Sequence, residues 1–210
     1  MLLQKIYKDT ASLFLSSVFS RALGLFTNLF IVKLAGPSDF ALLKIINFIP
    51  SLAKFGSIGL TSVVKREIPH IREKNLTHKE NDIKDTAFSF DIIWGMILST
   101  IVFASASFYD QKKIIYCLYM VSLTLFLGVI KKMFVTILSV DKKFQHIAKN
   151  DFFFSIALST LSLLIIFLGN LHIVYAITLA GLVANFFSLI YISSMSRLGF
   201  TFRIKKNELL

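Results

Sequence analysis

Acidic residues are scarce in this chain, which holds 12 Asp and Glu against 23 Lys and Arg. Cysteine and proline are scarcer, with one and three in 210 residues. A lone Cys117 excludes a disulfide-held scaffold. The four histidines have no metal-ligand spacing and no cysteine cluster accompanies them, so no metal site is expected. Neither a P-loop nor a dinucleotide fingerprint occurs, so this chain is not expected to hydrolyse ATP or to carry a cofactor. Charged residues make up 17% of the chain, below the roughly 25% of a soluble domain. Hydrophobic residues make up 55%, with 22 Phe among them, and disorder is thereby excluded.

The apolar residues are arranged in long uncharged runs. From Phe152 to Ser196 no Asp, Glu, Lys or Arg occurs in 45 consecutive residues. One helical crossing needs about 20 residues, so this run holds two, with Gly169-Asn170 as the natural turn. Ile92–Tyr109 and Ile114–Ile130 are uncharged runs of 18 and 17 residues. Two further apolar stretches near the N-terminus are broken only by single cations. Gly36-Pro37-Ser38-Asp39 separates them, with Pro and Asp suited to a helix start. The pattern predicts an all-helical membrane bundle of six spans, at 11–35, 39–61, 86–108, 114–138, 152–169 and 171–195. The apolar runs are continuous and not alternating, which argues against a β-barrel. Lys5 and Lys8 precede the first stretch as in a signal peptide, but Arg21 interrupts it and no cleavage pattern follows, so the first helix is expected to be retained. Residues 1–210 read as a single membrane domain.

Basic residues assign the sides. Fifteen lie in the N-terminal segment, the 62–85 and 139–151 connections and the tail, against only Lys112 and Lys113 opposite. The positive-inside rule then makes both termini cytoplasmic. The charge is a topology signal spread over four segments, so no nucleic-acid partner is expected, while anionic membrane lipids are. In the 62–85 connection Thr77-His78-Lys79-Glu80 has capping-box spacing, which starts the third helix before it enters the membrane. Pro69 is read as irregular chain.

Six cations remain inside the spans: Arg21, Lys33, Lys44, Lys54, Lys131 and Lys132. A Lys or Arg at the bilayer centre costs about 2.5–3.5 kcal/mol on insertion scales, so such residues face a cavity, a partner or a substrate. Ser17, Arg21, Gly24 and Asn28 share one helical face, and so do Lys44, Asn47, Ser51 and Lys54. Thr124, Gly128, Lys132, Thr136 and Ser139 form a broader stripe. Asp91 is read as the only acid at membrane depth and as a charge partner. The candidate binding residues are therefore Arg21, Asn28, Lys44, Asn47, Lys54 and Lys132, around a net positive, water-filled cavity. Phosphate or pyrophosphate suits such a lining. Lys33, Lys44 and Lys54 are near enough to the span ends to snorkel instead, and Lys131 with Lys132 fits equally the end of a fourth span that stops at Ile130. Pro50 inside the second span predicts a kink, while Gly56, Gly59, Ala180 and Ala184 allow close helix contact. His146 and Asp151 have an acyltransferase-like spacing, but in a short turn with no fold around it; no enzyme is expected.

Three segments together, Ser20-Arg21-Ala22-Leu23-Gly24, Leu34-Ala35-Gly36-Pro37-Ser38-Asp39-Phe40-Ala41 and Phe55-Gly56-Ser57-Ile58-Gly59-Leu60, resemble bacterial polysaccharide flippases. These are the Wzx-like members of the multidrug/oligosaccharidyl-lipid/polysaccharide (MOP) exporter superfamily. Ala41 stands where the second glycine of the turn is usual. The segment Arg197-Leu198-Gly199-Phe200 resembles the basic stretch after the sixth helix of that family. The resemblance implies a transporter that moves a lipid-linked (polyprenyl-pyrophosphate) oligosaccharide to the outer leaflet of the bacterial inner membrane by alternating access, for surface polysaccharide such as O-antigen. It also implies that Arg21 meets the carrier pyrophosphate, with Lys44, Asn47 and Lys54 along the same wall. Members of that family have two six-helix lobes, and six helices make one. The expected partner is accordingly a second lobe, from another chain or a second copy, unless the reading frame is a truncated remnant. A drug or cation exporter of the same superfamily and a non-transporting membrane fragment stay open as alternatives.

Overall fold

The computed structural model describes residues 2–56, 58–168 and 172–196, with the side chains of 2–6, 8, 52–56, 58–59 and 77 outside the description. The described residues form seven helices and no strand: α1 (Leu2–Leu34), α2 (Pro37–Gly56), α3 (Ile58–Glu73), α4 (Thr77–Ser105), α5 (Lys112–Val140), α6 (Phe144–Leu168) and α7 (Ile173–Ser196), with one 3₁₀ turn at Ala106–Phe108. Five of them (α1, α4, α5, α6 and α7) are long and apolar enough to cross a membrane, which makes this a multi-pass membrane protein. Helices satisfy their own backbone groups, as hydrocarbon requires.

The expected span 39–61 is the one that differs. Its residues are divided between α2 and the first turn of α3, and α2 carries Asp39, Lys44 and Lys54 within 20 residues. That charge keeps it outside the apolar class of the other five. The Gly36-Pro37 start is as expected, with Pro37 first in the helix and Asp39 in its first turn. Pro50 lies inside α2, which continues through it. The expected turn at Gly169-Asn170, the basic tail from Arg197 and the side chains of Gly56 and Gly59 lie outside the described residues.

The 62–85 segment is not a long loop, and Pro69 does not mark irregular chain. Pro69 lies inside α3, and the connection shrinks to Lys74–Leu76. Packing overrides the cost of a helical proline here: Val64 and Ile68 of α3 are fully buried against Ala87 of α4 and Met133 and Ile137 of α5. Asn75 takes a positive φ of 56° while Leu76 N–H donates to the Ile71 carbonyl, which closes α3 with a Schellman turn. Lys142 (φ 55°) and the bond from Lys143 N–H to the Leu138 carbonyl close α5 in the same way. Helix α4 starts at Thr77 as the capping pattern predicts, but Leu76 is the N-cap and supplies no side-chain cap.

Helix α5 is the hub and packs against α2, α3, α4 and α7, while α1 lies on α6. The pair α1–α6 is parallel, since Phe19 stacks near Phe152 (4.6 Å) and Thr27 donates to Ser159 (2.9 Å). The pair α4–α5 is antiparallel, with Ser99 donating to the Ser122 carbonyl and Gly95 facing Val129. Along α7 the buried residues Ala176, Ala180, Ala184 and Ser188 recur every four positions and let the helices approach closely, as expected for Ala180 and Ala184.

Candidate functional site

Polar side chains of five helices line two adjoining, half-open cavities of the bundle, with Asn28, Asn47 and Ser51 exposed. The first, about 370 Å³, takes Gly24 and Asn28 from α1, Asn47 and Ser51 from α2, Thr124 from α5 and Asn185 from α7. The second, about 380 Å³, shares Pro50, Thr124, Phe154 and Asn185 with the first and adds Gly128, Lys131 and Lys132 of α5. The second cavity lies nearer the end of α5 that carries Asp141, and the first nearer the end that carries Lys113. Both are of ligand-site size.

The stripes read from the sequence meet here in part. Asn28, Asn47 and Lys132 line the cavities, together with Gly24, Ser51, Thr124 and Gly128 of the same stripes. Arg21 does not line either cavity; it is exposed on α1, one turn before Gly24. The Phe19–Phe152 stack and the Ser20 hydroxyl on the Asp151 carbonyl (3.3 Å) bring it to the depth of Phe154, level with the cationic cavity. Lys44 also lies outside the cavities, exposed, with its ammonium 4.7 Å from the Phe40 ring. The side chain of Lys54 lies outside the described residues. Thr136 and Ser139 turn away from the cavities: each hydroxyl bonds a carbonyl of its own helix, and Thr136 is buried.

Asp91 is buried on α4, with Lys132 of α5 the cation whose field reaches it across the α4–α5 contact, and its Oδ1 has no hydrogen-bond partner among the described residues. It is not the only acid at this depth. Helix α6 begins at Phe144, eight residues ahead of the expected span, and so draws Asp151 into a helix long enough to cross. Lys131 is the neighbouring cation of Asp151, and its ammonium sits 3.8 Å from the centre of the Phe154 ring. Each cavity lysine thus lies within the field of a carboxylate on a neighbouring helix. His146 and Asp151 make no hydrogen bond to each other, and the buried Nδ1 of His146 has no hydrogen-bond partner among the described residues.

Sequence reasoning missed Thr27, Ser159, Ser162, Thr178 and Asn185, all of which line the first cavity. They carry no charge and sit in the most apolar stretches, where a search for cations passes over them. Their spacing was the available signal: Ser159 and Ser162 are three apart and Thr178 and Asn185 seven apart, each pair on one helical face.

Ion clusters tie the two ends of the bundle. Arg72 of α3 bonds Glu80 of α4 and Asp141 at the end of α5, each at 2.6 Å, and Lys84 joins Glu80 at 2.6 Å. The hydrogen bond that Arg72 donates to Glu80, then that to Asp141, raises the Arg72 pKa above its ordinary value. At the other end Asp39 pairs with Lys113 and lies 3.2 Å from His172.

A family model described as polysaccharide biosynthesis protein matches residues 30–210. The chain belongs to that family, in agreement with its resemblance to polysaccharide flippases. No curated protein and no solved structure matches it.

Proposed function

We propose that this chain is a transport lobe that moves a lipid-linked oligosaccharide, carried on a polyprenyl pyrophosphate, across the bacterial inner membrane. The supporting observation is the pair of adjoining cavities in which polar groups of five helices meet Lys131 and Lys132. Polar and cationic groups at this depth are costly unless a hydrated path or an anionic cargo uses them. Membership of a polysaccharide biosynthesis family supports a glycan cargo.

In this reading α2 is the sixth crossing. It is antiparallel to α1, and Asp39 at its start meets the starts of α5 and α7. Helices α1, α4 and α6 then run outward, α2, α5 and α7 inward, and both termini are cytoplasmic, as the basic residues require. Lys132 and Lys131 seat the pyrophosphate, Arg21 meets it at the same depth from α1, and Asn28 and Asn47 line the path beyond. Alternating access requires a second lobe, supplied by a further six helices or a second copy. The role is transport and not catalysis. The carboxylates support cation export poorly, because Asp91 and Asp151 each lie in the field of a lysine.

The test is export of the glycan in cells that depend on this chain. Lys131→Ala with Lys132→Ala should leave the lipid-linked glycan on the cytoplasmic leaflet at normal protein level. Full export by that variant would overturn the proposal.

A further inference from the structure

The first cavity is lined differently from the second. Among the described residues that line it none is charged. A serine or threonine hydroxyl has one proton to donate and two lone pairs to accept with. In this cavity most of those protons are already committed. Thr124 donates to the Met120 carbonyl (2.8 Å), Ser162 to Leu158 (2.6 Å) and Thr178 to Val174 (2.9 Å), each within its own helix. Ser51 donates to the Asn47 carbonyl (3.4 Å), and Thr27 to the Ser159 hydroxyl (2.9 Å). Asn185 spends one amide proton on the Gly181 carbonyl (2.8 Å). What these groups still present is mainly lone pairs, with the Asn28 and Asn47 amides, the second amide proton of Asn185 and the Ser159 hydroxyl as the remaining donors.

An acceptor-rich, uncharged lining selects by chemistry. A carboxylate or phosphate brings a charge and finds no counter-ion in the lining to offset its desolvation. An ammonium would suit the lone pairs but brings a charge for which the lining holds no carboxylate. A neutral polyol offers O–H donors to the lone pairs and oxygen acceptors to the two amides.

We infer that the first cavity is a subsite for an uncharged, hydroxyl-bearing sugar, next to the cationic seat and separate from it. The inference rests on the transport reading above and narrows its cargo: the sugar adjoining the phosphate is neutral and not a uronate.

The test uses the full chain in lipid nanodiscs and three probes: farnesyl pyrophosphate, its hexose ester and its hexuronate ester, titrated calorimetrically. The hexose ester should bind at least tenfold more tightly than farnesyl pyrophosphate, and the hexuronate ester no more tightly than it. Asn47→Ala, or the near-isosteric Thr178→Val should the first variant not fold, should pull the hexose affinity toward that of farnesyl pyrophosphate. Equal gains from hexose and hexuronate, or a hexose gain indifferent to both variants, overturn the subsite. If farnesyl pyrophosphate binding is nonetheless lost in Lys131→Ala with Lys132→Ala, the transport reading survives that result. Absence of binding by all three probes overturns both.

Discussion

Asp39, in the first turn of α2, is ion-paired with Lys113, in the first turn of α5. His172, one residue before α7, places Nε2 3.2 Å from both the Asp39 carboxylate and the Lys113 ammonium. One carboxylate therefore holds the starts of three helices at a common level. Its position also complements the partial positive charge of the α2 N-terminus. At the opposite end Arg72 joins α3 to α4 and α5. Between these two clusters the cavities are set at fixed height.

Asp39→Asn keeps the side-chain shape and removes the charge. The Lys113 and Asp39 side chains are 27% and 15% exposed, between the surface and buried limits for an ion pair, so the loss should be about 1–2 kcal/mol. A lower Tm in detergent, with a smaller fall in His172→Ala, is the expected outcome; an unchanged Tm in Asp39→Asn contradicts the clamp.

Arg72→Lys tests geometry and not charge. The guanidinium reaches Glu80 through Nε and Nη2 and Asp141 through Nη2, a fork that one ammonium cannot reproduce. The variant should lose about 1 kcal/mol, measured by chemical denaturation, and Arg72→Met no more than about twice that. The pH dependence follows from the sign of the shift. A raised folded-state pKa gives a contribution complete below the ordinary guanidinium range and lost only above it, so the Arg72 pairs should not weaken between pH 7 and 10.

The helical class and five spans were legible because hydrocarbon demands long uncharged runs, and such runs stand out in any sequence. The boundaries were less so, since α1, α4 and α6 extend past their apolar segments into stretches of sequence that carry charge. Helix α3 was hidden for a related reason: its basic residues and Pro69 look like a loop, whereas Val64 and Ile68, four apart, are what bury it. Within the site, stripe phase found Asn28, Asn47 and Lys132, because helical periodicity alone decides which residues share a face. It misplaced Arg21 and Lys44, which line neither cavity, because phase does not say how high on the bundle a residue sits or which neighbour covers it. The hydroxyls of α6 and α7 carried no charge to attract attention.

Gly95 is a point of close approach in the α4–α5 contact. A Cβ there would meet Val129 Cβ and Cγ1 at 3.2 Å, close enough that Val129 must shift by a few tenths of an ångström. Alanine also gains about 1 kcal/mol of helix propensity over glycine, so Gly95→Ala should fall within about 1 kcal/mol of the parent. Gly95→Leu has no such compensation and should cost about 3 kcal/mol or prevent folding. A leucine variant as stable as the alanine one would show that the helices are further apart than described.

The cations of the transport path should separate by depth. Arg21, Lys131 and Lys132 share the level of Phe154, whereas Lys44 lies toward the other end of the bundle beside Phe40. If phosphate is held at that level, Arg21→Ala and Lys132→Ala should each reduce export at least tenfold, equivalent to about 1.4 kcal/mol, while Lys44→Ala reduces it less than twofold. Charge restored at the same place, as in Arg21→Lys or Lys132→Arg, should recover part of the export, because a phosphate accepts either donor. The measurement is the leaflet distribution of the labelled glycolipid at matched protein level. Export lost equally in Lys44→Ala would move the anion seat toward the Asp39 end, and export indifferent to Arg21 would remove α1 from it.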